Sequence, residues 1–278
     1  MTFTYKVWDG FCCDLTKQGK ISVPVSEVLD NTAVAPYLVL KHDVETNVAH
    51  ALQIAKIEHK HGHRGTYYVQ AYLLDGAENI AMLRQMQDMG HEITYHYDVM
   101  DSCKGDLDRA MAEFAANVKH FEDNGFSIRT LCQHGNPVVE RVGYTSNRDF
   151  FRAAAVQEKY PALADVMVDL KIKANTDYLY FSDAGRRFNL IFDPINNDVV
   201  KSDDKNIPCD DLAAVMAQIG QGQNAIISIH PHRWCASQAG YAVKTAAFKV
   251  IRFTAKLVLK LPFMKKLMGR FYYLAKKI

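Results

Sequence analysis

Three apolar runs of the sequence each lead into residues that can bind a metal ion or transfer a proton. These residues are Asp43 and Glu45 after the run at 38–40, His96 after Ile93, and His230 with His232 after the run at 226–229. Carboxylates and neutral imidazoles bind zinc and similar ions, and the same groups act as general bases and acids. Because α/β enzymes gather polar groups at strand ends, the pattern predicts an active site.

Asp43 and Glu45 should share one face of their strand, because side chains alternate between the two faces of a strand. His42 and Val44 then point to the other face. Two carboxylates at a strand end serve either as two metal ligands, or as one ligand beside a general base that the metal keeps ionised. The alternative for Asp43 is a helix cap or turn anchor, although the polar pair at 46–47 is available to cap the next helix.

His96 is one of four histidines at the ends of predicted strands. The others are His134, in Cys-Gln-His-Gly-Asn-Pro (132–137), His230 and His232. A single histidine is more often structural, but the presence of four histidines at strand ends favours a metal or catalytic site. Among the other histidines, we expect four on or after a helix to be solvated (His50, His59, His61 and His63) and His91 to be structural.

Strands alternate with helices along the chain, which predicts parallel βαβ units and an α/β fold class. The predicted strands are 37–44, 65–70, 91–96, 127–132, 177–181, 190–192 and 225–229, and the predicted helices are 47–61, 79–89, 106–123 and 210–219. Three glycines follow helix patterns, as C-terminal glycines do: Gly62, Gly90 and Gly125. Residues 136–173 carry no clear pattern, and 193–211 is predicted to be a long loop.

The composition is typical of a globular protein that can bury a large core in one domain, with 278 residues of which 49% are hydrophobic. The six cysteines have no Cys-x-x-Cys spacing, which argues against a zinc ribbon or disulfide framework. The amino terminus has one positive charge and no apolar run before Asp9, so we expect no secretory signal and predict a cytoplasmic location.

Residues 241–278 differ in charge from the rest of the chain, with ten Lys or Arg and no acidic residue. The first 240 residues hold 23 basic and 31 acidic groups. Pro262 separates two amphipathic halves, and neither is long or uncharged enough to span a bilayer. The tail is therefore predicted to lie on an anionic membrane surface, at ~1 kcal/mol per basic residue, or to pack on the barrel or a second subunit as a homodimer. Its many large apolar residues argue against nucleic acid.

Four motifs, in this order, resemble the polysaccharide deacetylases of carbohydrate esterase family 4. They are Lys-His-Asp-Val-Glu (41–45), Gly-Thr-Tyr-Tyr-Val (65–69), Gly-His-Glu-Ile-Thr-Tyr-His (90–96) and Ser-Ile-His-Pro-His-Arg-Trp (228–234). The first motif is closer to a divergent branch found among surface-polysaccharide biosynthesis proteins. The resemblance implies a distorted (β/α) barrel of about seven strands over residues 1–240, followed by the basic amphipathic helical tail at 241–278.

The resemblance also implies site roles and a divalent metal, most often Zn²⁺, which activates water for hydrolysis of an acetamide. Asp43 matches the general base and Glu45 the metal-binding acid. His96 matches the first histidine of the metal-binding His-x-x-x-His motif. His230 matches the general acid toward the leaving amine, and His232 could share or tune its proton.

Several positions depart from the family pattern. The second metal-binding histidine would fall at Met100, whose thioether is a poor ligand for such ions. Residues 133–137 stand where the family has an arginine-containing third motif. Residues 182–188 match only part of the family's fourth motif. A third protein ligand must therefore come from elsewhere, with His134 as the first choice and Asp98 as the second.

Candidates for substrate binding lie near the later motifs. Trp234 could stack on a sugar face, or it could be a core residue at the barrel mouth. Asp183 and Arg187 could orient Asp43 or bind hydroxyls, or they could form a surface ion pair. His232 is a further candidate.

The sequence therefore predicts a metal-dependent sugar N-deacetylase in capsule or lipopolysaccharide assembly. Its expected substrate is an N-acetylated nucleotide sugar or a lipid-linked saccharide at the inner membrane leaflet, and the basic tail favours the second. Two alternatives remain open: a non-catalytic glycan-binding barrel, and a hydrolase of another bond such as an ester, a formamide or a cyclic amide.

Overall fold

A nine-stranded sheet forms the centre of the protein. The computed structural model describes residues 2–136, 139–169, 178–184, 187–195, 206–220 and 222–258. The strands are β1 Leu38–Val44, β2 Thr66–Val69, β3 Glu92–Tyr97, β4 Thr130–Gln133, β5 Ala164–Asp165, β6 Tyr178–Ser182, β7 Phe188–Ile191, β8 Ile207–Cys209 and β9 Asn224–Ile229. Their order across the sheet is β5-β4-β3-β2-β1-β9-β6-β7-β8.

The sheet is mainly parallel, and β1 lies near its middle between β2 and β9. β7 runs antiparallel to both of its neighbours, β6 and β8. No pairing among the described residues joins β5 to β8, so these two strands are the ends of the sheet. The predicted α/β class with successive parallel βαβ units is confirmed. The described residues form nine strands where about seven were predicted, because β5 and β8 add two short strands.

The helices alternate with these strands along much of the chain. They are α1 Tyr5–Lys17, α2 Val25–Leu29, α3 Val48–Lys60, α4 Ala77–Asp88, α5 Val99–Ser102, α6 Leu107–Asp123, α7 Asp149–Arg152, α8 Ala154–Lys159, α9 Leu212–Gln218 and α10 Gln238–Val258, with 3₁₀ turns at Ala71–Asp75 and Pro231–Arg233. The three glycines predicted to end helices all have positive φ, at 80°, 86° and 85° for residues 62, 90 and 125. The predicted helix 79–89 is confirmed as α4, which begins two residues earlier and ends one residue earlier.

β1 is buried along its whole length, as expected for a central parallel strand. Leu38 and Leu40 belong to the large core cluster, whereas Val39 belongs to a second, smaller cluster on the opposite face. Side chains therefore alternate as predicted. His42 points away from Asp43, and its Nε2 lies 2.9 Å from the buried Glu58 Oε1.

Helix α1 was not predicted, although its buried residues follow a helical spacing. They are Trp8, Phe11, Cys12 and Leu15. α1 also explains why the solvated position expected for His63 is wrong. This ring is fully buried, because its Nδ1 accepts from the Ser22 N–H at 3.1 Å and its Nε2 lies 3.0 Å from the Cys12 carbonyl oxygen. His91 is structural as predicted, since its Nδ1 accepts from the Gly65 N–H at 2.9 Å.

The C-terminal helix α10 begins before the predicted domain boundary at 240/241, and the division into two domains stays a prediction. Val243 and Val250, two helical turns apart, are 70% and 62% exposed. The predicted second half of the tail, from Pro262 onward, lies outside the described residues. Among the described helices, none has the length and apolar character that crossing a bilayer requires.

Candidate active site

The predicted catalytic and metal-binding residues come together at the carboxyl edge of the sheet. Asp43 lies in β1 and His96 in β3, while Glu45, His134, Asp183 and His230 directly follow β1, β4, β6 and β9. Parallel strands present their carboxyl ends on the same side, and the sheet order places these four strands and β3 within one region. The strand-end pattern of the sequence therefore identified residues that are neighbours in space.

Glu45, His96 and His134 form a group of potential metal ligands. His134 Nδ1 lies 3.3 Å from Glu45 Oε1 and 3.3 Å from His96 Nε2. The three ligand atoms all lie within 4.8 Å of one another. Two ligands at ~2.1 Å from a tetrahedral zinc ion are roughly 3.4 Å apart, so this spacing fits a single ion.

The side chain of His96 is oriented for ligation through Nε2. Its Nδ1 lies 2.9 Å from the Cys132 carbonyl oxygen, to which it donates, so that Nε2 keeps its lone pair. Burial lowers the pKa of His96 to about 4, although Asp43 opposes this shift, and the neutral ring is the form that binds metal. Burial alone would raise the pKa of Glu45, but its hydrogen bond with His134 contributes to a pKa well below the usual range. His96 and Glu45 are thus held in the protonation states that metal ligands require.

Asp43, His96 and Cys132 form a second group with metal-ligand spacing, but a lysine already supplies its positive charge. Lys41 is 1% exposed, and its Nζ donates to Asp43 Oδ1 at 2.5 Å and to Ser228 Oγ at 3.3 Å. Burial also raises the pKa of the Cys132 thiol well above its usual value, so this group stays protonated. We therefore place the metal at Glu45, His96 and His134.

Asp43 is ionised at neutral pH because of Lys41. Burial would raise the pKa of this carboxyl group, but the Lys41 ammonium, with His96 and His230, outweighs burial and lowers the pKa to about 2. Lys41 was not predicted as a site residue, although it lies two positions before Asp43 and so shares its strand face. The period of the strand was the signal that could have identified it.

His230 is held by a buried carboxylate. Its Nδ1 lies 2.5 Å from Asp183 Oδ1, and its backbone N–H donates to Asp183 Oδ2 at 3.1 Å. Arg233 donates to the same carboxylate at 2.9 Å and to the Asp183 carbonyl at 2.6 Å. Burial would raise the pKa of Asp183, but Arg233 and His230 keep it below its usual value. The other ring nitrogen of His230, Nε2, therefore faces Asp43 Oδ2 at 3.9 Å and Glu45 Oε1 at 3.7 Å.

Two of the predicted substrate-binding residues are corrected by their burial. Trp234 has no exposed surface, and its ring packs on Phe3 and Trp8 at centroid distances of 5.0 and 5.1 Å, so it belongs to the core. Asp183 also has no exposed surface and orients His230 rather than Asp43 or a hydroxyl. Arg187 follows its surface alternative, with an exposed ion pair to Asp210 at 3.7 Å.

The third predicted substrate-binding residue, His232, stays a candidate. Burial lowers its pKa to about 4, with Glu45 opposing this shift, so the ring is neutral. Met100 is buried in the core cluster, and Asp98 does not belong to either ligand group found among the described residues. Of the two predicted choices for a third ligand, the geometry favours His134.

Comparison with solved structures finds carbohydrate esterases of family 4. A family 4 carbohydrate esterase from Streptomyces lividans, in complex with acetate, is 18% identical, with 72% of this chain and 81% of that chain covered and a TM-score of 0.42. A pseudoenzyme of the family from Bacillus anthracis is 14% identical over 77% of this chain and 60% of its own, with a TM-score of 0.39. A mutant pseudoenzyme of the family with restored enzymatic activity is 14% identical over 78% of this chain and 63% of its own, with a TM-score of 0.38.

No protein-family model matches the chain, and the search of curated proteins found no match either. The matched structures are from the family that the sequence resembles. The surface-polysaccharide branch stays a prediction. Because the TM-scores are below 0.5, the functional proposal rests on the geometry and chemistry of the site.

Proposed function

We propose that this protein is a metal-dependent hydrolase that removes the N-acetyl group from an amino sugar. One observation carries the proposal: a three-ligand group, an ionised carboxylate and a carboxylate-oriented imidazole face one another at the carboxyl edge of the sheet. These are the three parts that amide hydrolysis requires, namely an electrophilic centre, a base for water and an acid for the leaving amine.

Glu45, His96 and His134 would hold the divalent metal, and zinc suits this set of one carboxylate and two imidazoles. A bound zinc ion would lower the pKa of water toward ~7 and polarise the acetamide carbonyl. The protein contributes the neutral imidazole of His96 and the ionised carboxylate of Glu45. The two histidines of the group are nearly fully buried, with His96 and His134 only 1% and 2% exposed. Desolvation of this kind strengthens electrostatic interactions in the site.

Asp43 would accept the proton of the attacking water. It is the carboxylate of the site that Lys41 keeps ionised, and its Oδ2 faces the His230 ring. The Lys41 bond occupies Oδ1 and leaves Oδ2 available for the proton. This division of the two oxygens suits a general base better than a metal ligand.

His230 would donate a proton from Nε2 to the departing amine. Asp183 accepts from Nδ1, which fixes the tautomer and orientation of the ring. His230 Nε2 lies 3.9 Å from Asp43 Oδ2 and 3.7 Å from Glu45 Oε1, which supports an acid that acts opposite the base and the ligand group. The scissile bond would lie between them.

We take the amino sugar as substrate, and a role in cytoplasmic capsule or lipopolysaccharide assembly, from the resemblance of the four motifs. A lipid-linked saccharide is favoured as substrate because the basic tail could hold the protein on an anionic membrane surface. The exposed valines of α10, Val243 and Val250, lie on one face of the helix and support this contact.

The test is release of acetate from a panel of N-acetylated amino sugars by the zinc-loaded protein, beside O-acetylated sugars. Asp43→Asn and His230→Gln should lose hydrolysis by roughly 10²-fold or more while they still bind zinc. Arg187→Gln, at an exposed ion pair, is the matched control and should keep full activity. Binding of sugars without hydrolysis would point to the glycan-binding alternative, and release from esters alone would change the bond that is cleaved.

A further inference from the structure

The described residues that follow β4, from His134 to Asn147, are joined to α5 by hydrogen bonds of a buried asparagine. Asn147 Nδ2 donates to the His134 carbonyl at 2.8 Å and to Asp101 Oδ2 at 2.9 Å. Its Oδ1 accepts from the Asp101 backbone N–H at 2.9 Å. Asn147 has no exposed surface and Asp101 is 2% exposed. Both amide donors of Asn147 are thus used to join His134 to Asp101.

Asp101 also binds other parts of the same segment. Arg141 donates to its two carboxylate oxygens at 2.8 and 2.9 Å, and the Tyr144 hydroxyl donates to Oδ1 at 3.0 Å. Arg141 further donates to the Asn136 carbonyl at 3.0 Å, two residues after His134. A bidentate arginine–carboxylate pair has a fixed geometry, and a buried carboxylate requires donors of this kind. The chain on the C-terminal side of His134 is therefore tied to Asp101 at several points.

We propose that Asp101 and Asn147 are positioning residues that hold His134 as the third metal ligand. The proposal rests on the proposed function, because it explains how this site obtains that ligand. His134 lies outside β4, and its backbone N–H donates to the Tyr97 carbonyl at 2.7 Å. This single backbone bond to β3 does not by itself fix the position of the ring. Metal ligation tolerates deviations of about ±0.2 Å, which a segment without such ties would not maintain.

Asp101 directly follows Met100 in α5. The resemblance to the deacetylases places the second metal-binding histidine at Met100, and this side chain lies in the core instead. The next residue, Asp101, holds the segment that supplies His134 in its place. The short helix after β3 would thus contribute an anchor for a ligand from a neighbouring strand end.

The test measures zinc affinity and the accessibility of His134 in the full chain. Asn147→Ala removes both donors, and Asp101→Asn keeps the shape of the side chain but removes the charge that holds Arg141. Tyr144→Phe is the matched control, because it loses one bond to Asp101 without a bond to His134 or Asn136. Zinc affinity is read by competition with a chromophoric chelator, and unfolding of the metal-free protein shows whether each variant is folded.

Loss of an outer partner of a metal ligand typically weakens binding 10- to 100-fold, and we expect this for Asn147→Ala and Asp101→Asn but not for Tyr144→Phe. In the metal-free protein, modification of His134 by diethyl pyrocarbonate should become faster in the first two variants only. The proposal would be overturned if folded Asn147→Ala and Asp101→Asn kept the zinc affinity and the His134 modification rate of the wild type. Equal changes in these two variants and in Tyr144→Phe would overturn it as well. A wild type that binds no zinc would contradict the proposed function, while the modification rates would still decide whether Asp101 and Asn147 hold His134.

Discussion

Replacing Lys41 by methionine should destabilise the metal-free protein by about 3–5 kcal/mol at pH 7, because it leaves a buried carboxylate without its cation. Lys41 is 1% exposed and its Nζ lies 2.5 Å from Asp43 Oδ1. Methionine keeps most of the side-chain volume, so the main change is the loss of charge. The cost arises from Asp43, which must then stay ionised without a partner or take up a proton.

The pH dependence of stability gives the prediction a sign. In the wild type, burial would raise the pKa of Asp43, but Lys41 brings it to about 2, below the ordinary 3.8. The ionised Asp43 therefore contributes about 2 kcal/mol to the free energy of unfolding. This contribution is present above pH 4 and is lost as the pH falls toward 2. Without Lys41, burial remains and the pKa of Asp43 should rise above its ordinary value. The free energy of unfolding of the variant, relative to the wild type, should then fall as the pH rises.

Urea unfolding followed by circular dichroism between pH 3 and 8, with a chelator present, measures both effects. Lys60→Met is the matched control, because Lys60 pairs with Asp9 at 2.8 Å on the surface, and its loss should cost less than about 1 kcal/mol. Lys41→Met combined with Asp43→Asn should recover much of the lost stability, since no unpaired charge remains. Equal, small losses in Lys41→Met and Lys60→Met would refute the reasoning.

Three further predictions concern buried residues near the site. Asp183→Asn should lower kcat by roughly 10²-fold or more with little change in KM, because His230 loses the negatively charged partner that fixes its tautomer. Exposed Asp210→Asn is the control, and an unchanged kcat in Asp183→Asn would contradict the role. Burial raises the pKa of Asp165 to about 6, so the folded protein holds this proton longer than the unfolded chain. Its contribution to the unfolding free energy should fall by about 2 kcal/mol as the pH rises from 4 to 6, and Asp165→Asn should remove that contribution in urea titrations. Trp234→Ala should cost about 3–5 kcal/mol of stability as a core residue; a stable variant with a raised KM would instead favour contact with the sugar.

The strand-end residues could be predicted because strand geometry is local. The period of two placed Asp43 and Glu45 on one face, and the predicted ends of three other strands located His96, His134 and His230. The same period could have indicated Lys41. The partner of His230 was harder to assign, because Asp183 lies 47 positions away and no pattern of the sequence joins the two.

Burial by distant segments could not be predicted from the motifs. Trp234 follows the strand-end motif of β9, but Phe3 and Trp8 from the amino-terminal region cover it. His63 was expected to be solvated because it follows a helix, and its partners at Ser22 and Cys12 come from the same unpredicted region. The apolar spacing within α1 was the available signal for this region. Recognising that helix would have corrected the expectations for both residues.

The metal content of the purified protein tests the central claim most directly. Elemental analysis after zinc loading should find about one ion per chain in the wild type and in Asp98→Ala, and a loss of the ion in Glu45→Ala, His96→Ala and His134→Ala. Wild-type protein without bound zinc, or a His134→Ala variant that retains it while Asp98→Ala loses it, would contradict the assigned ligand group.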